Sequence, residues 1–430
     1  MKTNIITKNT VKVLIMSILF VAGAVFSMRA QENTLSISGT VTDAGTKRPM
    51  VFASVSIQDI GISIVTNGEG FFTLKFPRQY ADKTLNISYL GYHTAAIPIS
   101  SFLDSGKPLS INLIQAALPI PMATVRPLDP LQLVKDAFSN IRHNYPQERM
   151  QMTGFYREMI RKGNTYVTLS EAVIDVHKSP YTPSFAVDQV GIYKGRGSID
   201  WRRIDTVFVK FQGGIRSALE IDVVNNLFLG VNATEIEQYY DFTMEHPVQM
   251  NDRINYVISF DQKPFQEEIL FRGKIYIDRE SMAITRMEFN MNVEGKDHAA
   301  SIFIRRKPFS LKARVEYAAY MVQFRQIPGG RWVFDYSRTD IKFNAKWDRK
   351  LFSQNYTISS EMAMTEYSRE TYKIPRESRV KTTDITLDKV ADFEDPGFWE
   401  DYNVIEPESS IESVISRIIR QLRRRERQLQ

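Results

Sequence analysis

Five histidines are the first residues to weigh for chemistry: His93, His143, His177, His246 and His298. A zinc hydrolase sets histidines and a carboxylate around an open metal position, commonly as H-E-x-x-H on one helix face. No histidine here is followed by Glu at the next or the third position, and His143 with Glu148 has Pro146 in between. A G-x-S-x-G elbow does not occur, and the S-x-x-K at Ser378–Lys381 lies in a polar stretch, RESRVK, without its partner motifs. The chain has no cysteine, which removes thiolate chemistry. Gly68 with Gly70 and Gly195 with Gly197 give G-x-G, but neither pair completes the six-residue phosphate fingerprint. The sequence therefore offers no catalytic residue, no metal ligand set and no cofactor site, and the chain reads as a non-enzyme.

Carboxylates give the same answer. Glu267–Glu268, Asp392 with Glu394 and Asp395, and Glu400–Asp401 cluster in loop-like stretches. Acid–base catalysis needs two carboxylates facing one cleft, whereas neighbours on a strand point to opposite faces. They read as solvated charges, with a calcium or glycan site as the alternative. Asp43, Asp59 and Asn67-Gly68-Glu69-Gly70 offer the same choice between calcium and ordinary turn chemistry.

The elements that must position any site are mainly β, with a few helices. Lys2, Lys8 and Lys12 precede an apolar run, Val13 to Phe26, that is shorter than the ~20 residues of a membrane span, and Ala30 follows at a cleavage-like point. Residues 1–30 are expected to be a signal peptide, with a retained anchor as the alternative. Of 55 basic and 49 acidic residues, Lys2, Lys8, Lys12 and Arg29 fall in that segment, which leaves the remainder near neutrality. No nucleic-acid partner is implied. Without cysteine the exported chain carries no disulfide framework and no lipoprotein anchor, so the expected location is the periplasm, peripheral to the outer membrane if membrane-bound.

Residues 31–115 alternate short β-forming runs with turn residues. In FFTLKF, Phe72, Leu74 and Phe76 share one face, as in a sandwich strand. Residues 116–130 hold Pro119, Pro121, Pro127 and Pro130 and read as an extended linker. Asp129 is placed to cap a helix beginning at Pro130, with Leu131, Val134, Phe138 and Ile141 at helical spacing. Over 131–395 the pattern is that of a large curved antiparallel sheet or half-barrel, with an irregular insertion at 180–245. Its clearest strand carries Met287, Phe289, Met291 and Val293 on one face, paired as a hairpin with GKIYID. Residues 396–430 form a connector and a basic amphipathic helix, with Ile411, Val414, Ile415, Ile418, Ile419 and Leu422 along one stripe.

The S-G-x-V-x-D start and the T-N-x-E-G-x-F run at Thr66–Phe72 resemble the carboxypeptidase-regulatory-like domain. That resemblance implies a small prealbumin-like sandwich, of the kind that precedes TonB-dependent receptors in Bacteroidota. Too little chain follows for a receptor barrel. Gly154-Phe155-Tyr156-Arg157-Glu158 and the stretch around Trp399, FWEDYNVIEPE, resemble motifs of exported Bacteroidota envelope proteins, with no role implied for those residues. The hairpin resembles the LolA/LolB lipoprotein-carrier half-barrel, which implies a concave apolar face that shelters acyl chains. Two readings follow. In one, Met287, Phe289, Met291 and Val293 line a site for a lipid or lipoprotein, with the 411–422 helix as its lid or its contact with a membrane surface. In the other, the chain is an outer-membrane assembly module that binds a protein partner and no small ligand. A hydrolase is the third and least supported.

Overall fold

The computed structural model describes residues 34–103, 106–117, 128–181, 187–199, 210–211, 214–226, 235–264, 268–306, 309–348, 351–368, 372–394 and 402–411. Residues 1–30, expected as a signal peptide, most of residues 116–130, Trp399, and the part of the expected final helix beyond Ile411 lie outside them.

The N-terminal domain is a sandwich of two small sheets. Its strands are β1 (Thr34–Asp43), β2 (Ser54–Ile57), β3 (Ser63–Val65), β4 (Phe71–Pro77), β5 (Thr84–Ser88), β6 (Ala95–Pro98) and β7 (Leu109–Leu113). One sheet has the order β4-β1-β7 and the other β3-β2-β5-β6. The period of two in β4 buries Phe72, Leu74 and Phe76, where they meet Val41, Val55 and Ile87. The turn before it is built as turn chemistry: Asn67 Oδ1 accepts from the backbone N–H of Glu69 (3.0 Å) and Phe71 (2.9 Å).

The rest of the chain adds β8 (Met150–Lys162), β9 (Thr165–Lys178), β10 (Gln189–Ile199), β11 (Lys210–Phe211), β12 (Tyr240–Met244), β13 (Val248–Met250), β14 (Arg253–Gln262), β15 (Phe271–Asp278), β16 (Ile284–Met291), β17 (Ile304–Arg306), β18 (Leu311–Gln326), β19 (Trp332–Trp347) and β20 (Gln354–Ser368). Eleven of the chain's strands form one antiparallel sheet in the order β10-β9-β8-β20-β19-β18-β16-β15-β14-β12, with β13 beside β14. The sheet is not closed: β10 and β12 are its edges. The expected β15–β16 hairpin is present, Ile275 opposite Met287. The stretch read as an insertion supplies the edge strand β10, and KGRG lies within that strand.

Helices are short. Asp129 caps α1 (Pro130–Ser139), its carboxylate accepting from Leu131 N–H at 3.0 Å, and α2 (Ile141–Asn144) follows. Further short helices are α3 (Ile215–Glu220), α4 (Ile236–Tyr239), α5 (Ala300–Phe303) and α6 (Thr386–Val390). No described helix is long and apolar enough to cross a membrane.

The large sheet is covered on both faces. Leu133, Val134 and Phe138 of α1 and Ile215, Ala218 and Leu219 of α3 share one core with Tyr156, Ile174, Met287, Phe289 and Phe334. On the opposite face, Phe155, Tyr336 and Ala363 join the core of the sandwich, together with Ile405 of the C-terminal connector. That connector is stitched to the sandwich: Asn403 exchanges hydrogen bonds with the backbone of Lys75 (2.7 and 2.9 Å), and Glu69 accepts from Ser409 N–H at 3.0 Å.

Candidate functional site

The segment Phe155-Tyr156-Arg157-Glu158 lies in β8, so its side chains alternate between the two faces. Phe155 and Arg157 face the sandwich; Tyr156 and Glu158 face the helices.

On the sandwich side, Arg157 is the centre of a charge row that crosses five strands. Arg196 (β10) stands opposite Glu171 (β9), Glu171 opposite Arg157 (β8), Arg157 opposite Glu361 (β20), and Glu361 opposite Arg338 (β19). Successive ion pairs along the row measure 2.5, 2.5, 3.1 and 3.4 Å. Arg338 is held further by Asp340 at 2.6 Å, so three arginines meet three carboxylates. Arg157 also donates to the carbonyl of Ile405 at 2.7 Å, which ties the connector to the sheet. Burial works against the charge of Glu171, but Arg196 and Arg157 overcome it and hold its carboxyl below the ordinary range. Burial likewise opposes the charge of Arg157, and the two glutamates outweigh it. The row is neutral and buried from Arg196 to Glu361, with Arg338 and Asp340 half-buried at its far end, and acts as a clasp between sheet, sandwich and connector.

On the helix side, the adjacent row forms the floor of a cavity of about 400 Å³. Glu158 (β8) stands opposite Ser360 (β20), Ser360 opposite Thr339 (β19), and Thr339 opposite Tyr320 (β18). Two residues along, Ile358 and Ile341 pair to extend the floor as an apolar surface. The roof comes from α3, with Ser217 and Ala218, and from Ile302 and Phe303 of α5. Ser337 fastens α3 by donating to the carbonyl of Ala218 at 3.0 Å. The roof can approach because Gly214 precedes α3: its φ of +107° suits glycine, and a Cβ there would sit 2.4 Å from Thr386 Oγ1.

The cavity has one polar end and one apolar side. Burial raises the Glu158 carboxyl above its ordinary value; hydrogen bonds from Tyr156 (2.9 Å) and Thr386 oppose that rise without cancelling it. Burial alone raises the Tyr320 phenol, whose ring stacks on Phe289 with centroids 5.0 Å apart.

Of the residues expected to form an apolar ligand face, Met287 and Phe289 are packed in the main core, Val293 in a smaller cluster, and Met291 is half-buried against that cluster. The face is filled by α1, α2 and the α3 region, and Phe289 stands one layer behind the cavity wall through Tyr320. Ile411, the one described member of the expected lid stripe, is 1% exposed and bonded to the carbonyl of Glu408; Val414, Ile415, Ile418, Ile419 and Leu422 lie outside the described residues, as does Trp399. Among the described residues no group of three or more His, Asp or Glu is placed to hold a metal ion. Ser378 Oγ donates to the carbonyl of Pro375.

Sequence reasoning did not find Ser360, Thr339 and Tyr320, because cross-strand register brings them beside Glu158. It also did not find a second buried cluster, in which Lys178 is paired with Asp188 (2.6 Å) and Asp222 (2.8 Å) and Tyr181 donates to Asp222 (2.9 Å). A lysine in a strand followed by Ser-Pro gave no signal of burial.

Residues 37–122 match the family model of the CarboxypepD_reg-like domain. No curated protein matches the chain. Among solved structures, a DUF1329 family protein from Desulfovibrio piger is 12% identical at a TM-score of 0.22, the match covering 55% of this chain and 94% of that one. A LolA superfamily protein from Nitrosomonas europaea is 11% identical at a TM-score of 0.21, covering 59% and 99%. A putative membrane-associated protein from Bacteroides fragilis is 11% identical at a TM-score of 0.14, covering 78% and 98%.

Proposed function

We propose that this chain is an exported, non-catalytic binding protein of the cell envelope, and that the cavity over Glu158 holds an amphiphilic ligand such as a lipid or the acyl part of a lipoprotein. The observation that carries this reading is the cavity's construction: Ile341, Ile358, Ile302 and Phe303 form its apolar side, and Glu158, Ser360 and Thr339 form one polar end. Its volume of about 400 Å³ lies within the range of small-molecule sites. An apolar tail gains by leaving water along the isoleucine side, while a hydroxyl, amide or carbonyl head meets the Glu158 end. The expected concave apolar face is thereby moved from the β16 strand to the β8-β20-β19-β18 quarter of the same sheet. Glu158 has a raised pKa in a cleft, which is also a property of catalytic acids; no nucleophile paired with a base accompanies it among the described residues.

Native mass spectrometry and solvent extraction of the full chain, purified from an envelope fraction, test the proposal. Acyl species should be recovered, and a fluorescent fatty acid should bind. Ile341→Trp, which fills the apolar side, should abolish probe binding while leaving the melting temperature within a few degrees. Recovery of no acyl species together with no probe binding would refute the proposal.

A further inference from the structure

A second cavity, of about 470 Å³, lies at the seam between the sandwich and the large sheet. Its sandwich wall is the outer face of β2 and β5, where Ser54 stands opposite Ser88 and Ser56 opposite Asn86. The residues between them, Val55, Ile57, Leu85 and Ile87, point the other way and fill the sandwich core. The four outer side chains are small and polar, and none makes a side-chain hydrogen bond among the described residues.

The facing wall includes Arg325 at the end of β18 and Trp332 at the start of β19, 8% and 1% exposed. Arg325 donates through Nε to Asp335 at 3.0 Å, and its guanidinium lies 4.8 Å from the centre of the Tyr367 ring, behind the cavity wall.

Three tight turns form the rim, and each has left-handed backbone: Asp59 (φ 58°), Asn251 with Asp252 (φ 52° and 57°), and Gly329 with Gly330 (φ 96° and 82°). Asn251 and Asp252 are the two-residue link of the β13–β14 hairpin, a turn whose twist matches its strands. The rim is thus set by backbone geometry.

Charge and polarity select the class of ligand. Asp59 and Asp252 supply carboxylate acceptors at the rim, beside Arg253 and Arg325. Both arginines are already paired, Arg253 with Asp278 at 2.7 Å and Arg325 with Asp335, so an anion finds no uncompensated positive charge. An apolar ligand would strip water from hydroxyl and amide groups and return nothing to them. A neutral molecule rich in hydroxyls supplies donors to Asp59 and Asn86 and acceptors to the serine hydroxyls and the Asn86 amide. We infer that this seam cavity is a binding site for a neutral saccharide. The site is separate from the cavity over Glu158, and a ligand in it would bridge the sandwich and the sheet.

Saturation-transfer NMR on the full chain tests this, with a panel of glucose, galactose, mannose, N-acetylglucosamine and their disaccharides at millimolar concentration. At least one member should bind. The double variant Ser56→Ala, Asn86→Ala should bind it at least about tenfold more weakly, the loss of one to two hydrogen bonds, with an unchanged melting temperature. Absence of binding across the panel would overturn the inference. So would binding unaffected by the double variant, or occupation of the seam by inorganic phosphate in place of the sugars.

Discussion

Replacing Arg157 by alanine should destabilise the protein more than any other single truncation in the five-strand charge row. Arg157 is 2% exposed and contacts both Glu171 and Glu361. Removing one partner of a buried pair costs about 3–5 kcal/mol, because the remaining charge is stranded. Here each glutamate keeps a second arginine, Arg196 for Glu171 and Arg338 for Glu361, so the lower end, about 3 kcal/mol, applies. The carbonyl of Ile405 also loses its donor, which adds about 1–2 kcal/mol. The sum, about 4–5 kcal/mol, is a large part of the 5–15 kcal/mol available to a folded domain. Urea unfolding followed by circular dichroism reads this as a lower midpoint at unchanged slope. Arg196→Met serves as the internal comparison, since it removes one partner from Glu171 alone, and it should cost about half as much. The Glu171 carboxyl is held below its ordinary value, so its stabilisation is present above about pH 4.5 and lost as pH falls through its lower folded value. Arg157→Ala should therefore flatten the acid limb of the stability curve. A loss below about 1 kcal/mol, or a loss no greater than that of Arg196→Met, would refute the bridging role assigned to Arg157.

Four further substitutions probe the same packing and charge. Burial raises the Glu158 carboxyl, so the parent loses stability as pH rises above the ordinary value of 4.5 through the higher folded one; Glu158→Gln should therefore gain stability relative to the parent as pH rises from 4.5, read as melting temperature. Lys178→Met should cost about 3–5 kcal/mol in urea unfolding, because it leaves Asp188 and Asp222 buried without a cation. Gly273→Ala should cost about 1–3 kcal/mol, since the new Cβ would lie 2.0 Å from the Glu288 carbonyl in the β15–β16 hairpin; Gly68→Ala should cost less than about 1 kcal/mol, because its nearest neighbour is the movable end of Glu408.

Much of the fold was legible because it depends on local periodicity. The period of two in FFTLKF, the GKIYID–AITRMEF hairpin and the Asp129–Pro130 helix start are each carried by a few consecutive residues, and each is found in place. The same alternation put Met287 and Phe289 on one face of β16, and both are buried. It could not show what buries them. Met287 and Phe289 look alike whether they line an open groove or meet α1 and α3, because the covering elements lie more than sixty residues away in sequence.

The polar face of the sheet misleads for a related reason. Arg157, Glu171 and Glu361 carry no local sign of burial, since each has a polar neighbour in sequence (Glu158, Ser170 and Ser360). Their burial follows from a long-range event, the docking of the sandwich through Phe155, Tyr336 and Ala363. A sandwich that docked on an apolar sheet face would find many equivalent positions, since apolar contact is not directional. Alternating signs across five strands fix the register of the sheet beneath it, because a slip of one strand by two residues would leave a buried charge unpaired. The bond from Arg157 to Ile405 extends the same selection to the connector, whose Asn403 and Ser409 are held by the sandwich. Residues 402–411 therefore close a circuit from sheet to sandwich, and that circuit fixes the seam between them. A site built at that seam, with one wall on each domain, is rigid only while the charge row is intact. Arg157→Ala should consequently weaken a ligand at the seam even though Arg157 does not line that cavity, whereas Lys178→Met, which acts on the opposite face, should leave seam binding unchanged wherever the variant is folded.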